Sequence, residues 1–207
     1  MSNAMMNAVF TFFNYAVLAI GAQNVIFTRG LGISNGLRMI KNPRKDTVYF
    51  CVSLISFQLI NSLLVYFILP LVQKTPLAAW SRFITPVVIV ICCAVSYIFV
   101  VTVLRMFTGR KFFKKLIFSL TGASINSAIV GTIVLSVGRG FNLVETVGFA
   151  LGSSVGYFLA MLLIAESERK IRHDLVPQNF QGLPVTLIYI SVLALAIYGL
   201  TGNAMAL

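Results

Sequence analysis

Two short polar stretches in this chain combine amide side chains with glycines, which lets a membrane helix break and expose polar groups. The first, GAQNVIFTRGLGIS, covers residues 21–34, and the second, GASINSAIVG, covers residues 122–131. Polar, glycine-interrupted segments in corresponding positions of two membrane halves indicate a central site built from broken helices. The expected members of this central polar site are Gln23, Asn24, Gly32, Asn126 and Gly131.

Glycine allows the irregular backbone that such a break needs, and amide side chains can satisfy part of the freed backbone groups. Two further amides, Gln58 and Asn61, have no glycine beside them. They belong either to the same polar interior or to interhelical hydrogen bonds worth about 0.6 kcal/mol each. The sequence leaves both interpretations open.

Ionisable side chains are nearly absent from the apolar segments. Asp46, Glu145 and Glu166 all lie at predicted span ends, so a self-contained proton relay has little to work with. The sequence also shows no phosphate-binding glycine loop, no nucleophile–base pair and no metal-ligand cluster. Catalysis by side chains alone is not predicted.

The cysteines and the single histidine are weak candidates for a site. Cys51, Cys92 and Cys93 lie in apolar segments, and the adjacent pair points about 100° apart on a helix, which makes a poor chelate. We expect three small buried side chains. His173 lies in a basic connection, where a solvated imidazole is expected.

The elements that must position the polar stretches are membrane helices. Hydrophobic residues make up 58% of the chain and charged residues 10%, with a mean hydropathy of +0.94, against about 45–50% and about 25% in soluble domains. Apolar runs of roughly 20 residues are long enough to cross a bilayer. The predicted spans are 8–28, 47–72, 83–104, 116–137, 143–165 and 184–202.

Basic residues set the orientation and explain the net charge of +11. Thirteen of the sixteen lie in the first, third and fifth connections, and three lie in the second and fourth. The positive-inside rule then places the odd-numbered connections in the cytoplasm and both termini outside. Because the basic residues cluster in the short connections between spans, at the predicted bilayer surface, anionic lipid is the expected partner and nucleic acid is not.

The sequence predicts no soluble domain and no long linker. Met1–Ala4 is expected to be an expression remnant, and the two polar stretches suggest three-helix repeats over 5–106 and 107–207. The fifth span should continue past the membrane as a helix, supported by the i,i+4 pairs Glu166–Lys170 and Glu168–Arg172. The last span should begin near Pro184.

The chain resembles the Rnf/Nqr family of membrane subunits, in particular its RnfA/NqrE-like member. NVIFTRGLGIS (24–34) and NSAIVG (126–131) are similar to the two polar motifs of that family, and 141–163 continues in register. The closing segment 175–202 matches as well, with Pro177, Phe180, Gly182 and Gly199 in place. The resemblance covers nearly the whole chain, from about Asn7 to Gly202.

This resemblance implies six helices in two inverted repeats, paired with a homologous subunit of opposite orientation. It also implies a 2Fe–2S cluster at mid-membrane that relays electrons in a Na⁺- or H⁺-translocating oxidoreductase, each subunit supplying two cysteines. The two ligand positions fall on Ser34 and Ser127. Iron–sulfur clusters require soft thiolates, whereas a serine hydroxyl is harder and far less acidic.

The sequence therefore predicts an electron-relay or non-catalytic subunit of such a complex, in a natural or engineered variant without its own cluster. Its partners would be other Rnf/Nqr-type subunits, either a homologue of opposite orientation or a second copy of the chain. The alternative is a stand-alone transporter or channel that retains the inverted-repeat scaffold without redox chemistry. The serines favour the alternative, and the retained motifs favour the family role.

Overall fold

The computed structural model describes residues 2–33, 45–76, 80–107, 109–124, 126–170 and 176–201, and within these ranges all regular elements are helical. The helices in chain order are α1 (Ser2–Ile20), α2 (Val25–Arg29), α3 (Lys45–Gln73), α4 (Ser81–Phe107), α5 (Arg110–Ser124), α6 (Ser127–Gly138), α7 (Leu143–Lys170) and α8 (Leu183–Thr201). A 3-10 turn at Gln178–Phe180 precedes α8. The all-helical prediction is confirmed for these residues.

Among the described residues, four segments have the length and apolar composition to cross a membrane: Tyr49–Gln73, Ser81–Met106, Ser119–Gly138 and Leu143–Ser167. The segment Ser119–Gly138 comprises the end of α5 and the whole of α6, with the break between them. Two shorter apolar helices, Ala4–Ile20 and Leu183–Gly199, occupy the positions of the predicted first and sixth spans. Each of these two has fewer than the ~20 residues that a straight crossing needs.

Helix α7 lies at the centre of the molecule and packs most closely on α1. Three glycines spaced four residues apart lie on the contacting face of α7: Gly148, Gly152 and Gly156. A Cβ at Gly148 would lie 2.6 Å from the carbonyl oxygen of Phe12, and one at Gly152 would collide with that of Ala16. Small residues at this spacing let membrane helices approach closely. Because contacts advance along both chains in the same sense, the two helices are parallel.

The C-terminal end of α7 and the first residue of α8 lie close to the predicted positions. Helix α7 continues to Lys170, whose ammonium lies 3.8 Å from the Glu166 carboxylate. The second predicted pair, Glu168–Arg172, lies outside the described side chains. Gly182 adopts φ 80° and helix α8 begins at Leu183, one residue before the predicted Pro184.

Candidate functional site

The first polar stretch interrupts the helix at Asn24, as the glycine-flanked pattern predicted. Helix α1 ends at Ile20 and α2 begins at Val25, and Asn24 is the N-cap of α2. Its side-chain oxygen accepts hydrogen bonds from the backbone N–H groups of Ile26 at 3.0 Å and Phe27 at 3.4 Å. Its amide nitrogen donates to the carbonyl of Ile20 at 3.0 Å. One side chain thus satisfies backbone groups on both sides of the break.

The second polar stretch contains an equivalent break. Helix α5 ends at Ser124 and α6 begins at Ser127, with Asn126 in an extended conformation between them (φ −117°, ψ 127°). The side-chain oxygen of Asn126 accepts a hydrogen bond from the backbone N–H of Ala128 at 3.0 Å. The two helix restarts are therefore capped by asparagines in the same way.

The two stretches meet at Gly32. The Gly32 N–H donates to the Ser127 hydroxyl oxygen at 2.9 Å. The Tyr157 hydroxyl donates to the Gly32 carbonyl at 2.8 Å. Asn126 in turn donates its side-chain amide to the Tyr157 oxygen at 3.4 Å. Segments almost one hundred residues apart are thus joined by a small hydrogen-bonded network, which we call the Gly32 network (Gly32, Asn126, Ser127 and Tyr157).

Only glycine fits at position 32. Its φ of 81° lies in the left-handed region, and an added Cβ would lie 2.6 Å from Cε2 of Tyr157 and 2.9 Å from Oδ1 of Asn126. Gly131 is confined as well, because a Cβ there would collide with Leu31. Both predicted glycines therefore mark places where the two stretches press together.

Helix α7 connects the two breaks through residues that the sequence analysis did not identify. Asn24 donates its side-chain amide to the Gly156 carbonyl at 2.9 Å, and the next residue, Tyr157, binds Gly32. Tyr157 is only 1% exposed. The four-residue spacing of the α7 glycines is a sequence signal for close helix packing that the sequence analysis did not use, and no local pattern identifies Tyr157.

Three of the remaining predicted positions, Gln23, Gln58 and Asn61, take no part in the Gly32 network. Gln23 precedes the cap and lines a different cleft, between α2 and α8. Ser34 lies outside the described residues. Asn61 is fully buried on α3, where its side-chain oxygen accepts a hydrogen bond from Ser96 of α4 at 2.9 Å. Gln58 donates to Ser62 on its own helix at 3.5 Å.

Ser127 differs from its neighbours in being exposed. Asn126 and Ala128 are 1% and 3% exposed, whereas Ser127 lies at the surface of the molecule. Ser127 is therefore both part of the Gly32 network and partly accessible from outside the molecule. The cysteines are free and buried elsewhere, Cys51 on α3 and the other two on α4.

A cavity of about 220 Å³ lies between α3, α6 and α7 and has several hydroxyl groups in its wall. Ser62, Ser136 and Thr146 are among the lining residues. One turn of α6 from Ser136, the hydroxyls of Thr132 and Ser153 lie 2.8 Å apart. Neutral hydroxyls thus extend from the cavity along α6 in the direction of the break.

A helical bundle with several apolar, span-length helices and two capped breaks that meet defines a class of polytopic membrane protein. A family model described as "Rnf-Nqr subunit, membrane protein" matches residues 12–204. The chain belongs to the Rnf-Nqr family of membrane subunits.

Individual relatives match over shorter segments. The A-type subunit of the ion-translocating oxidoreductase complex of Syntrophotalea carbinolica is 39% identical over 77 residues, covering 37% of this chain and 40% of that protein. The E-type subunit of the Na(+)-translocating NADH-quinone reductase of Chlamydia muridarum is 34% identical over 79 residues, covering 38% of this chain and 32% of that protein. Its counterpart in Maridesulfovibrio salexigens is 34% identical over 82 residues, 40% of this chain and 41% of that protein.

These matches span less than half the length of each relative. They are to the A-type and E-type subunits of the two kinds of complex, so the resemblance to RnfA/NqrE-like members is confirmed. The family description and the apolar helices agree that this is a multi-pass membrane protein.

Proposed function

We propose that this chain is a membrane subunit of an Rnf/Nqr-type ion-coupled electron-transport complex and that it carries no 2Fe–2S cluster of its own. The family match over residues 12–204 is the observation that carries the first part. Its role would be to supply half of a central core, as an electron-relay or non-catalytic subunit.

The cluster-free part rests on the donors at the two breaks. The Ser127 hydroxyl accepts a hydrogen bond from Gly32, and Ser34 is the second position at which the family resemblance implies a cysteine. A hydroxyl is a hard, weakly acidic ligand, whereas iron–sulfur clusters are held by soft thiolates. Among the described residues, no cysteine takes part in the Gly32 network. This donor set does not fit a 2Fe–2S cluster.

The proposed arrangement is two inverted three-helix repeats, 5–106 and 107–207. Asn24 and Asn126 are then equivalent caps of the broken helices, one in each repeat. The exposed Ser127 of the Gly32 network would lie at the contact with a second subunit, either a homologue of opposite orientation or a second copy. Both termini would lie outside a bacterial or archaeal cytoplasmic membrane, following the distribution of basic residues.

A second candidate function is transport without redox chemistry. The cavity of about 220 Å³ lined by Ser62, Ser136 and Thr146 favours it, because neutral hydroxyls can replace part of the hydration shell of a small solute or ion. In that case the inverted-repeat scaffold would serve a stand-alone transporter or channel, and the serines would replace thiolates that are no longer needed.

Purification under mild conditions separates the two candidates. An affinity-tagged chain should be extracted from its native membrane in a mild detergent, and its partners identified by mass spectrometry. The proposal predicts stoichiometric recovery of other Rnf/Nqr-type subunits, including flavin-binding and NADH-oxidising ones. Recovery of the chain alone or as a homo-oligomer, with solute flux in liposomes, would instead establish the transporter.

A further inference from the structure

A second cleft, of about 680 Å³, lies beside the first break, and none of its described lining residues belongs to the Gly32 network. It is formed by α2, by α8 and by the turn after α6, and its size falls in the range of small-molecule sites. Arg29 and Arg139, which are 110 residues apart in the sequence, both line it. Two guanidinium groups from separate elements thus share one cleft.

The cleft itself offers these arginines no counter-ion. None of its described lining residues is acidic. The whole chain has five acidic residues against sixteen basic ones, so most of its cations need anions from outside. Arginine forks favour phosphate and carboxylate oxygens, which accept charge-assisted hydrogen bonds.

Gln23 lines the cleft and carries an acceptor without a donor. The side-chain oxygen Oε1 of Gln23 is inaccessible to solvent and has no hydrogen-bond partner. A buried acceptor in this state is unfavourable unless a bound group donates to it. If the Gln23 side chain turns its oxygen into the cleft, a ligand that combines an anion for the arginines with a hydroxyl group for Gln23 would supply both partners.

The third feature is an exposed apolar side chain in the wall of the cleft. Ala194 and Leu195 of α8 line the cleft, and Leu195 is 70% exposed. The cleft is therefore amphipathic, with basic and polar groups beside an apolar helix face. A soluble anion would gain nothing from contact with this apolar face, whereas an acyl chain would bury it favourably.

We propose that this cleft binds the headgroup of an anionic phospholipid that carries hydroxyl groups, with phosphatidylglycerol as the simplest representative. The phosphodiester would accept hydrogen bonds from Arg29 and Arg139, and a glycerol hydroxyl would donate to Oε1 of Gln23. One acyl chain would lie along Leu195. This site is separate from the Gly32 network and does not depend on the redox role.

The test is lipid binding to the delipidated full-length protein, measured by native mass spectrometry and by lipid-dependent thermal stabilisation. Phosphatidylglycerol is compared with phosphatidylcholine, with phosphatidylmethanol, which has the phosphodiester but no headgroup hydroxyl, and with inorganic phosphate. We expect Arg29→Gln and Arg139→Gln each to weaken phosphatidylglycerol binding about tenfold. Arg82→Gln is the matched control, because Arg82 is exposed on α4 outside the cleft.

Gln23→Leu tests the hydroxyl contact separately. The unmodified protein should prefer phosphatidylglycerol over phosphatidylmethanol, and this variant should lose the preference while still binding both. Variants are compared only at equal stability without lipid, and Arg29→Lys should retain part of the affinity, which distinguishes lost binding from misfolding. Equal weakening by Arg82→Gln would overturn the proposal. Inorganic phosphate that competes fully with the lipid would also overturn it, since the cleft would then be a free-anion site.

Discussion

Replacing Gly32 by alanine should destabilise the protein because the new Cβ enters the contact between the two breaks. The Cβ would lie 2.6 Å from Tyr157, 2.9 Å from Asn126 and 3.0 Å from Ala128. A left-handed backbone costs a non-glycine residue about 1–2 kcal/mol, and overpacking of this kind adds about 1–3 kcal/mol. The Tyr157–Gly32 hydrogen bond should lengthen as the stretches separate.

Gly182→Ala is the matched control. Gly182 has φ 80°, close to the 81° of Gly32, but an added Cβ there would meet nothing within 4 Å. Both variants therefore carry the same backbone cost, and only Gly32→Ala carries the steric one. At roughly 2–4 °C per kcal/mol, the extra about 1–3 kcal/mol should lower the apparent Tm in detergent by about 2–12 °C beyond the control. Equal Tm values for the two variants would refute the contact between the stretches.

Three further predictions concern the same scaffold. Tyr157→Phe removes the hydrogen-bond donor to the buried Gly32 carbonyl and should lower the free energy of unfolding by about 1 kcal/mol. This is near the low end of the cost of leaving a buried polar group unsatisfied and above the average of about 0.6 kcal/mol for membrane hydrogen bonds. A Tm equal to that of the wild type would contradict this prediction. Gly152→Ala should separate α1 from α7 and lower the Tm, whereas Gly138→Ala, with open space around it, should leave the Tm equal or higher. A thiol reagent added outside intact cells should label a cysteine introduced at Gln73 and should not label one introduced at Lys111. Labelling at Lys111 would reverse the proposed orientation.

The sequence located the breaks but not the partners that hold them. Glycine and asparagine affect the backbone of residues next to them in the chain, so the capping roles of Asn24 and Asn126 can be predicted from the local sequence. The contact of Tyr157 with Gly32 joins residues 125 positions apart, and no periodicity encodes it. The interhelical bond of Asn61 to Ser96 matches one of the two interpretations that the sequence left open.

The continuous first span predicted from hydropathy is interrupted by the first break. The first span was predicted as 8–28, but α1 stops at Ile20 and α2 is only five residues, about 7.5 Å long. Gln23 and Arg29 line the α2–α8 cleft together with Arg139, although the sequence assigned the two arginines to connections on opposite sides. Hydropathy averages over about 20 residues and cannot detect a turn this short.

The iron and acid-labile sulfide content of the purified wild-type chain tests the central claim most directly. Thiolate softness governs cluster affinity, and Ser34 and Ser127 provide hydroxyls at both implied ligand positions. The wild-type protein alone should be colourless and free of iron, whereas replacing both serines by cysteine should allow metal binding once a partner or second copy completes four thiolates. Each single replacement should bind much less, because it leaves the half-site incomplete. A stoichiometric 2Fe–2S spectrum from the unmodified chain would contradict the cluster-free proposal.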